Sequence, residues 1–417
     1  MNKKYPTTND EWIKYLTIDN YFTDNEIEYR KHLIKESNCN FEVIKEKIEN
    51  IRQNLKVEIF KFENKSFYFV ETVYLKNKIE QIKEFFKNRE YLLKEIYTFE
   101  LLKESLIKEC FSSSSIEGAF STIARTKELV EKKDTPKDIS EQMISNNFEA
   151  LMFIKDKNED IDNDFIKYLH KIVTENTLDN GEDEGNYRKN DVDIKSAEQK
   201  IIFSAPHITI ALQMLDELIE FLKDNDFLKP IDKIYKTIAF HFLFAYIHPF
   251  MDGNGRTVRI LFTHLLKLYN YDMFYYISIS EIINKDKKSY YKAFVDVERS
   301  NNNSHVKFDM TYFFYYLSNI MLDGLHELKL RITTYFRDEI VNNIVKQKNI
   351  DLTPRQQKII KILSNEKKSF MLTSKELSKV FKISERIIQK DLKLLKDFEL
   401  IERVPAGKKN YFKLKVS

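Results

Sequence analysis

The chain has 417 residues, 42% hydrophobic and 32% charged, which suits a protein with a sizeable buried core and excludes a disordered or fibrous chain. Glycine and proline number only 7 each, which disfavours turn-rich all-β folds, and 2 cysteines exclude a disulfide framework or a Cys-ligated zinc site. The net charge of +3 divides unevenly: residues 351–417 hold 17 Lys and Arg against 8 Asp and Glu, a balance of +9 that leaves −6 for the first 350.

Met1-Asn-Lys-Lys-Tyr-Pro6 leads into polar sequence with no apolar leader, and no run approaches eighteen apolar residues. With Cys39 and Cys110 isolated, the expectation is a reducing, cytoplasmic setting without a membrane partner. Residues 1–90 read as a mostly helical region with one strand-like run, Ser66 to Tyr74, rich in β-branched and aromatic residues. From Glu80 to Cys110, Leu92, Ile96, Phe99, Leu102 and Leu106 recur at helical spacing. Ser112 to Ser115 reads as a helix end or an unusual helix interior, and Ser140–Lys155 and Asp164–Asn176 as helices. Asp179–Gly185 is a loop by turn chemistry, and alternating Tyr187, Val192, Ile194 and Ile201–Phe203 predict a hairpin. Helices are expected again at His207–Lys223 and Ile231–Tyr246, then a polar loop from His248 to Gly255 and a helix from Arg256 to Leu268. Residues 281–350 read as mostly helical.

The richest chemistry lies at 248–259. An apolar helix stops at Pro249, so the residue before it, His248, leaves helical geometry at the end of a buried element. Asp252-Gly-Asn-Gly255 is a turn whose glycines let a ligand approach the backbone closely. A helix begins there, and its N-terminal dipole favours an anion. Arg256 and Arg259 lie one turn apart with guanidiniums suited to phosphate oxygens. Asp252 among them suits a Mg²⁺ ion shared with phosphates. A lone His beside Pro is commonly structural, but glycines, Asp, His and two Arg within twelve residues lower helix stability and crowd like charges, which packing does not explain.

His248-Pro-Phe-Met-Asp-Gly-Asn-Gly-Arg-Thr-Val-Arg259 resembles the Fic-family signature at every defined position. The resemblance implies a mainly α fold, a Fic-type helical bundle with a β-hairpin flap, spanning roughly 90–270. It implies an enzyme moving AMP from ATP to a protein hydroxyl. His248 would be the general base, Asp252 the Mg²⁺ ligand, and Gly253, Asn254 and Gly255 the anion hole. Arg256 would hold the β-phosphate and Arg259 the γ-phosphate. Ser113-Ser-Ser-Ile-Glu117-Gly118 resembles the family's inhibitory pattern, which implies that Glu117 pairs with Arg259, with Ser113 beside it. The hairpin near 187–205 stands where the family docks its target proteins on a flap.

At the C-terminus, Thr353-Pro354 carries helix-start chemistry. Helices at 374–381 and 384–398, then a hairpin from Leu400 to Leu414, resemble a winged helix-turn-helix. The domains expected are therefore 1–90, 91–180 with the inhibitory helix, 181–350 with the flap and catalytic loop, and 351–417. For the basic last module, DNA and protein docking are both open as partners, as is a homodimer. Removal of AMP by the same enzyme stays open, as do two other functions: a winged-helix transcriptional regulator with the Fic domain as a sensor, and transfer from a nucleotide other than ATP.

Overall fold

The computed structural model describes residues 5–17, 20–87, 99–195, 201–223, 231–300, 307–364, 371–406 and 409–415. The chain divides into two compact units, one of residues 1–89 and 98–325, the other of 90–97 and 326–417. The fold is mainly α, as expected, with small sheets.

In the first unit, helices α1 (Asn9–Thr17), α2 (Asp24–Tyr29), α3 (Lys31–Glu36) and α4 (Phe41–Asn54) precede a hairpin of β1 (Lys56–Phe62) and β2 (Lys65–Val70). The first helices close a small core of their own around Trp12, Leu16, Ile34 and Ile44. The strand read from Ser66 to Tyr74 stops at Val70, because Thr72 turns the chain into α5 (Val73–Lys87), its hydroxyl accepting the Leu75 N–H at 3.2 Å. The expected helix from Glu80 to Cys110 is two elements, α5 and α6 (Phe99–Ile116), and residues 88–98 lie outside the described residues. Ser112, Ser113 and Ser114 are a buried helix interior, near the end of α6.

Next come α7 (Ile123–Lys132), α8 (Ile139–Lys155) and α9 (Asn163–Thr174), each with a side-chain N-cap. The expected hairpin is shorter than its sequence pattern, with β3 (Asp193–Lys195) pairing antiparallel with β4 (Ile201–Ser204); Tyr187 and Val192 precede it in irregular backbone. Helix α10 (Ile208–Lys223) leads to α11 (Lys233–Ile247) and α12 (Asn254–Leu268). These last two are buried almost all round: only Lys233 and Ala245 of α11 escape burial, and His241 and His264 are inside with the apolar residues. Helices of this kind form a domain's interior. The loop between them is held from both sides.

Helices α13 (Ile279–Lys285) and α14 (Lys287–Arg299) follow. Strand β5 (Lys307–Asp309) adds parallel to β2, giving the sheet order β1-β2-β5. The 37-residue helix α15 (Thr311–Gln347) packs Phe313, Phe314 and Leu317 in the first unit.

In the second unit, Val341 of α15 joins a core with Ile359, Leu377, Ile388, Leu392 and Leu414. Helix α16 (Pro354–Leu363) starts at the expected Thr353-Pro354 with a reciprocal capping box to Gln356. Strand β6 (Leu372–Thr373), α17 (Ser374–Phe381), α18 (Glu385–Asp397), β7 (Ile401–Ala406) and β8 (Lys409–Leu414) complete it, with sheet order β6-β8-β7. This is the expected order of three helices and a terminal hairpin. Cys39 and Cys110 are both free thiols. Among the described residues no helix is long and apolar enough to cross a membrane.

Candidate active site at the loop between two buried helices

Helix α11 ends at His248, whose φ of 52° and ψ of 60° place it in the left-handed region. A β-carbon makes that conformation costly, by roughly 1–3 kcal/mol, so such residues persist only where their surroundings impose them. Here the His248 N–H donates to the Phe244 carbonyl at 3.0 Å, and Nδ1 donates to the Ala245 carbonyl at 3.2 Å. With the proton on Nδ1, Nε2 is the free acceptor. Burial pushes the His248 pKa below its ordinary value; Arg188 pushes the same way, while the Ala245 carbonyl, Glu117 and Asp252 oppose. The imidazole is a neutral base at neutral pH.

The loop is closed by Asn254, whose side chain accepts the Phe250 N–H at 3.0 Å and donates to the Phe250 carbonyl at 2.9 Å. Phe250 is fully buried. Gly253 has φ 77°, and a β-carbon there would come within 2.6 Å of Thr174 Cγ2. Only glycine meets both demands. The helix starts two residues earlier than its apolar pattern suggested, so Asn254 and Gly255 supply its first turn. The Thr257 N–H reaches the Gly253 carbonyl at 2.9 Å, and the amides before it have no partner within the helix. They form the floor of an anion seat.

Glu117 occupies that seat. A β-carbon on Gly255 would lie 2.2 Å from Glu117 Oε1, so the carboxylate rests directly against the glycine. Glu117 Oε1 also pairs with Arg259 Nη2 at 2.8 Å. The Arg259 side chain is buried, and it donates from Nε to Ser113 Oγ and from Nη2 to the Ser113 carbonyl, both at 2.9 Å. Burial opposes its charge most strongly, but Glu117 together with Tyr290 and Tyr291 holds the Arg259 pKa above its ordinary value. Helix α6 unwinds just before Glu117 through Gly118, at φ 94°, and Lys287 Nζ caps the Ser115 carbonyl. Ser113, Glu117 and Arg259 thus meet across 146 residues of chain.

Arg256 is 1% exposed. It donates from Nη1 to the Val173 carbonyl at 3.0 Å, and its Nε is buried with no partner. Burial lowers its pKa. Of the two buried guanidiniums, Arg259 pairs with Glu117 and Arg256 has Asp252 as its nearest carboxylate. Asp252 is mostly exposed; Oδ1 takes the Gly253 N–H and Oδ2 lies 3.9 Å from Arg256 Nη2. Among the described residues no three His, Cys, Asp or Glu are arranged to hold a metal ion by themselves. A Mg²⁺ ion commonly takes one or two carboxylates and completes its shell with phosphates and water. Asp252, exposed beside the start of α12, would be the residue to hold such an ion, with a bound polyphosphate as co-ligand.

Three functional-site residues were not legible in the sequence. His170 stacks flat on Phe250, centroids 3.6 Å apart and 4° from parallel. Its Nε2 donates to the Asp252 carbonyl at 2.9 Å and its Nδ1 accepts the Gly185 N–H at 3.0 Å. Burial brings its pKa down to about 4, so it stays neutral and keeps this tautomer. Arg188, with its side chain wholly buried, donates from Nε to the His248 carbonyl at 2.9 Å, and its N–H reaches the Pro249 carbonyl at 2.9 Å. Tyr291, half exposed, interacts electrostatically with Glu117 and Arg259.

In the second unit, the face of α18 opposite its core presents Arg386, Gln389, Lys390 and Lys393, all exposed. Asp391 is buried and pinned by Arg355 of α16.

Comparison with known proteins places these features. Residues 160–266 match the Fic/DOC family and residues 355–406 match an HTH domain. A probable protein adenylyltransferase of Aquifex aeolicus (strain VF5) is 40% identical over 80 residues, 19% of this chain and 23% of that protein. The protein adenylyltransferase Fic of Nematostella vectensis is 29% identical over 178 residues, 40% of this chain and 38% of its own. The chain thus spans well under half the length of these curated relatives. A Fic family protein from Desulfovibrio desulfuricans G20 has a crystal structure with a TM-score of 0.55 at 18% identity, covering 87% of this chain and 99% of that one. At that identity the likeness speaks for the fold.

Proposed function

We propose that this chain, which carries a Fic/DOC family domain at residues 160–266 and an HTH domain at 355–406, is a protein adenylyltransferase restrained by its own Glu117. The observation that carries this reading is the donor set at the loop. Two buried arginines and the helix-start amides of α12 converge on one point, where Arg256 keeps a buried Nε without a partner and its Asp252 neighbour is exposed at 3.9 Å, so the seat still has donors to offer an anion. A triphosphate is such an anion. The curated relatives above are named a probable protein adenylyltransferase and a protein adenylyltransferase, which supports ATP as the donor.

In this reading Arg256 Nε and the Gly255 region take the β-phosphate, and Arg259 takes the γ-phosphate once Glu117 leaves. Asp252 would hold Mg²⁺, which would neutralise phosphate charge when bound. His248 Nε2 accepts the proton of a target hydroxyl as its oxygen bonds to the α-phosphorus. The bond from that phosphorus to the α,β-bridging oxygen breaks, and pyrophosphate leaves. The protein contributes alignment and charge stabilisation rather than covalent chemistry. The target segment adds to the edge of the β3–β4 hairpin, and the site's setting is the cytoplasm.

The test is incubation of the Glu117→Gly protein with each labelled nucleoside triphosphate in turn. Covalent label from ATP is the expected result. Label only from another nucleotide would replace ATP as donor, and label from none would remove the transferase reading.

A second contact is favoured by the exposed face of α18: DNA, with Arg386 and Gln389 toward base edges and Lys390 and Lys393 on phosphates. The expected result is a gel shift at low salt that weakens as salt rises. Lys390→Ala with Lys393→Ala should lower the salt slope by about 2, one per lost phosphate contact. An absent wild-type shift would leave this unit as a protein-docking element.

A further inference from the structure

We propose that Arg188 is a positioning residue that fixes the catalytic loop and both roots of the β3–β4 hairpin in one frame, so that a hydroxyl laid on the hairpin arrives at His248. The proposal rests on the transferase reading above. Its basis is the spread of one guanidinium's bonds. Nε donates to the His248 carbonyl at 2.9 Å, Nη1 to the Asn190 carbonyl at 2.8 Å, and Nη2 to the Pro206 carbonyl. Asn190 and Pro206 stand on either side of the hairpin strands, and His248 is the proposed base. The backbone of the same residue holds the next link, its N–H on the Pro249 carbonyl.

The side chain is wholly buried, and Asp191 Oδ1, 3.5 Å from Nη1, is the nearest carboxylate. Asp191 Oδ1 in turn accepts the Ile208 N–H at 2.9 Å, which ties the start of α10 to the same point. A charge this buried, neutralised mostly by carbonyl dipoles, is an expensive way to fill space. An apolar side chain of similar volume would fill it at less cost. What the guanidinium adds is direction: its planar fork aims donors at three separate backbone segments at once. A lysine ammonium is a single point and cannot span them. Arg188 touches neither the reacting atoms nor the phosphate seat, so it acts through the placement of His248 and the hairpin.

The experiment uses the full chain in the Glu117→Gly background, with labelled ATP and self-modification as the readout. Arg188→Lys and Arg188→Gln are compared with the parent for maximal transfer rate, KM for ATP, ATP affinity and melting temperature. A misplacement of about 1 Å costs on the order of 100-fold in rate. The expected result is a loss of that size in maximal rate in both variants, with KM and ATP affinity essentially unchanged. Parental rates in folded variants would overturn the assignment. So would full rescue by lysine, since charge alone would then suffice. Loss of fold or of ATP binding in both variants would make Arg188 a purely structural residue and overturn it equally. A parent that transfers nothing fails the transferase reading itself, which distinguishes the two.

Discussion

Glu117→Gly is expected to raise AMP transfer from labelled ATP by about 100-fold or more, self-modification included. The carboxylate now rests on Gly255 and pairs with Arg259 at 2.8 Å, in the space a γ-phosphate would need. ATP that binds with this space filled holds its α-phosphate out of line, and about 1 Å of misalignment is worth on the order of 100-fold. Removing the side chain clears both the charge and the bulk. Arg259 keeps its two hydrogen bonds to Ser113 but loses its carboxylate, so its buried charge is left to be met by a bound phosphate. The melting temperature should therefore fall without ligand and recover when ATP is added. The double variant Glu117→Gly with Arg259→Ala should fall back toward the resting rate, since the freed arginine performs the alignment. Unchanged transfer in a folded Glu117→Gly protein would leave Ser113–Gly118 as an ordinary helix end.

His248→Ala in the Glu117→Gly background should abolish transfer while ATP binding persists. The imidazole meets the hydroxyl, not the phosphates, and loss of a general base commonly costs 10²–10⁴-fold. Mass spectrometry of modified protein and an ATP titration separate the two effects. The pH dependence follows from the direction of the shift. His248 must be neutral to accept a proton, and burial lowers its pKa below 6.5. Transfer should therefore stay flat through neutral pH and fall only below the ordinary imidazole range. An acid limb at or above that range would mean that another group is the base.

Much of this site could be read before any coordinates. The stretch 248–259 is local: its chemistry depends on residues within twelve positions, and its turn and helix start follow from Pro249 and two glycines. The winged unit was legible for the same reason, since Thr353-Pro354 and the apolar spacing of α17 and α18 are short-range signals. What could not be read depends on distant partners. Arg188 is one of 68 Lys and Arg, and nothing around it tells that it is buried; that is decided by His248, 60 positions on. His170 lies on an amphipathic helix where an inward His is usually a core residue. Strand β5 is three residues long and carries no period of its own; it exists because β2 offers an edge. Residues 71–74 read as strand from their β-branched and aromatic composition alone, and Thr72 decides the matter by capping α5.

The two helices that bracket the catalytic loop have one more consequence. Proteins open locally in units of very different free energy, and binding loops usually belong to the least stable of them. Here the six residues from His248 to Gly253 are strung between α11 and α12, both buried almost throughout, and are pinned inward by Phe250. The loop cannot lift away without unpacking one of those helices from the interior. Its opening is therefore tied to the unfolding of the domain, and the group left to move is the Glu117 carboxylate that rests on it.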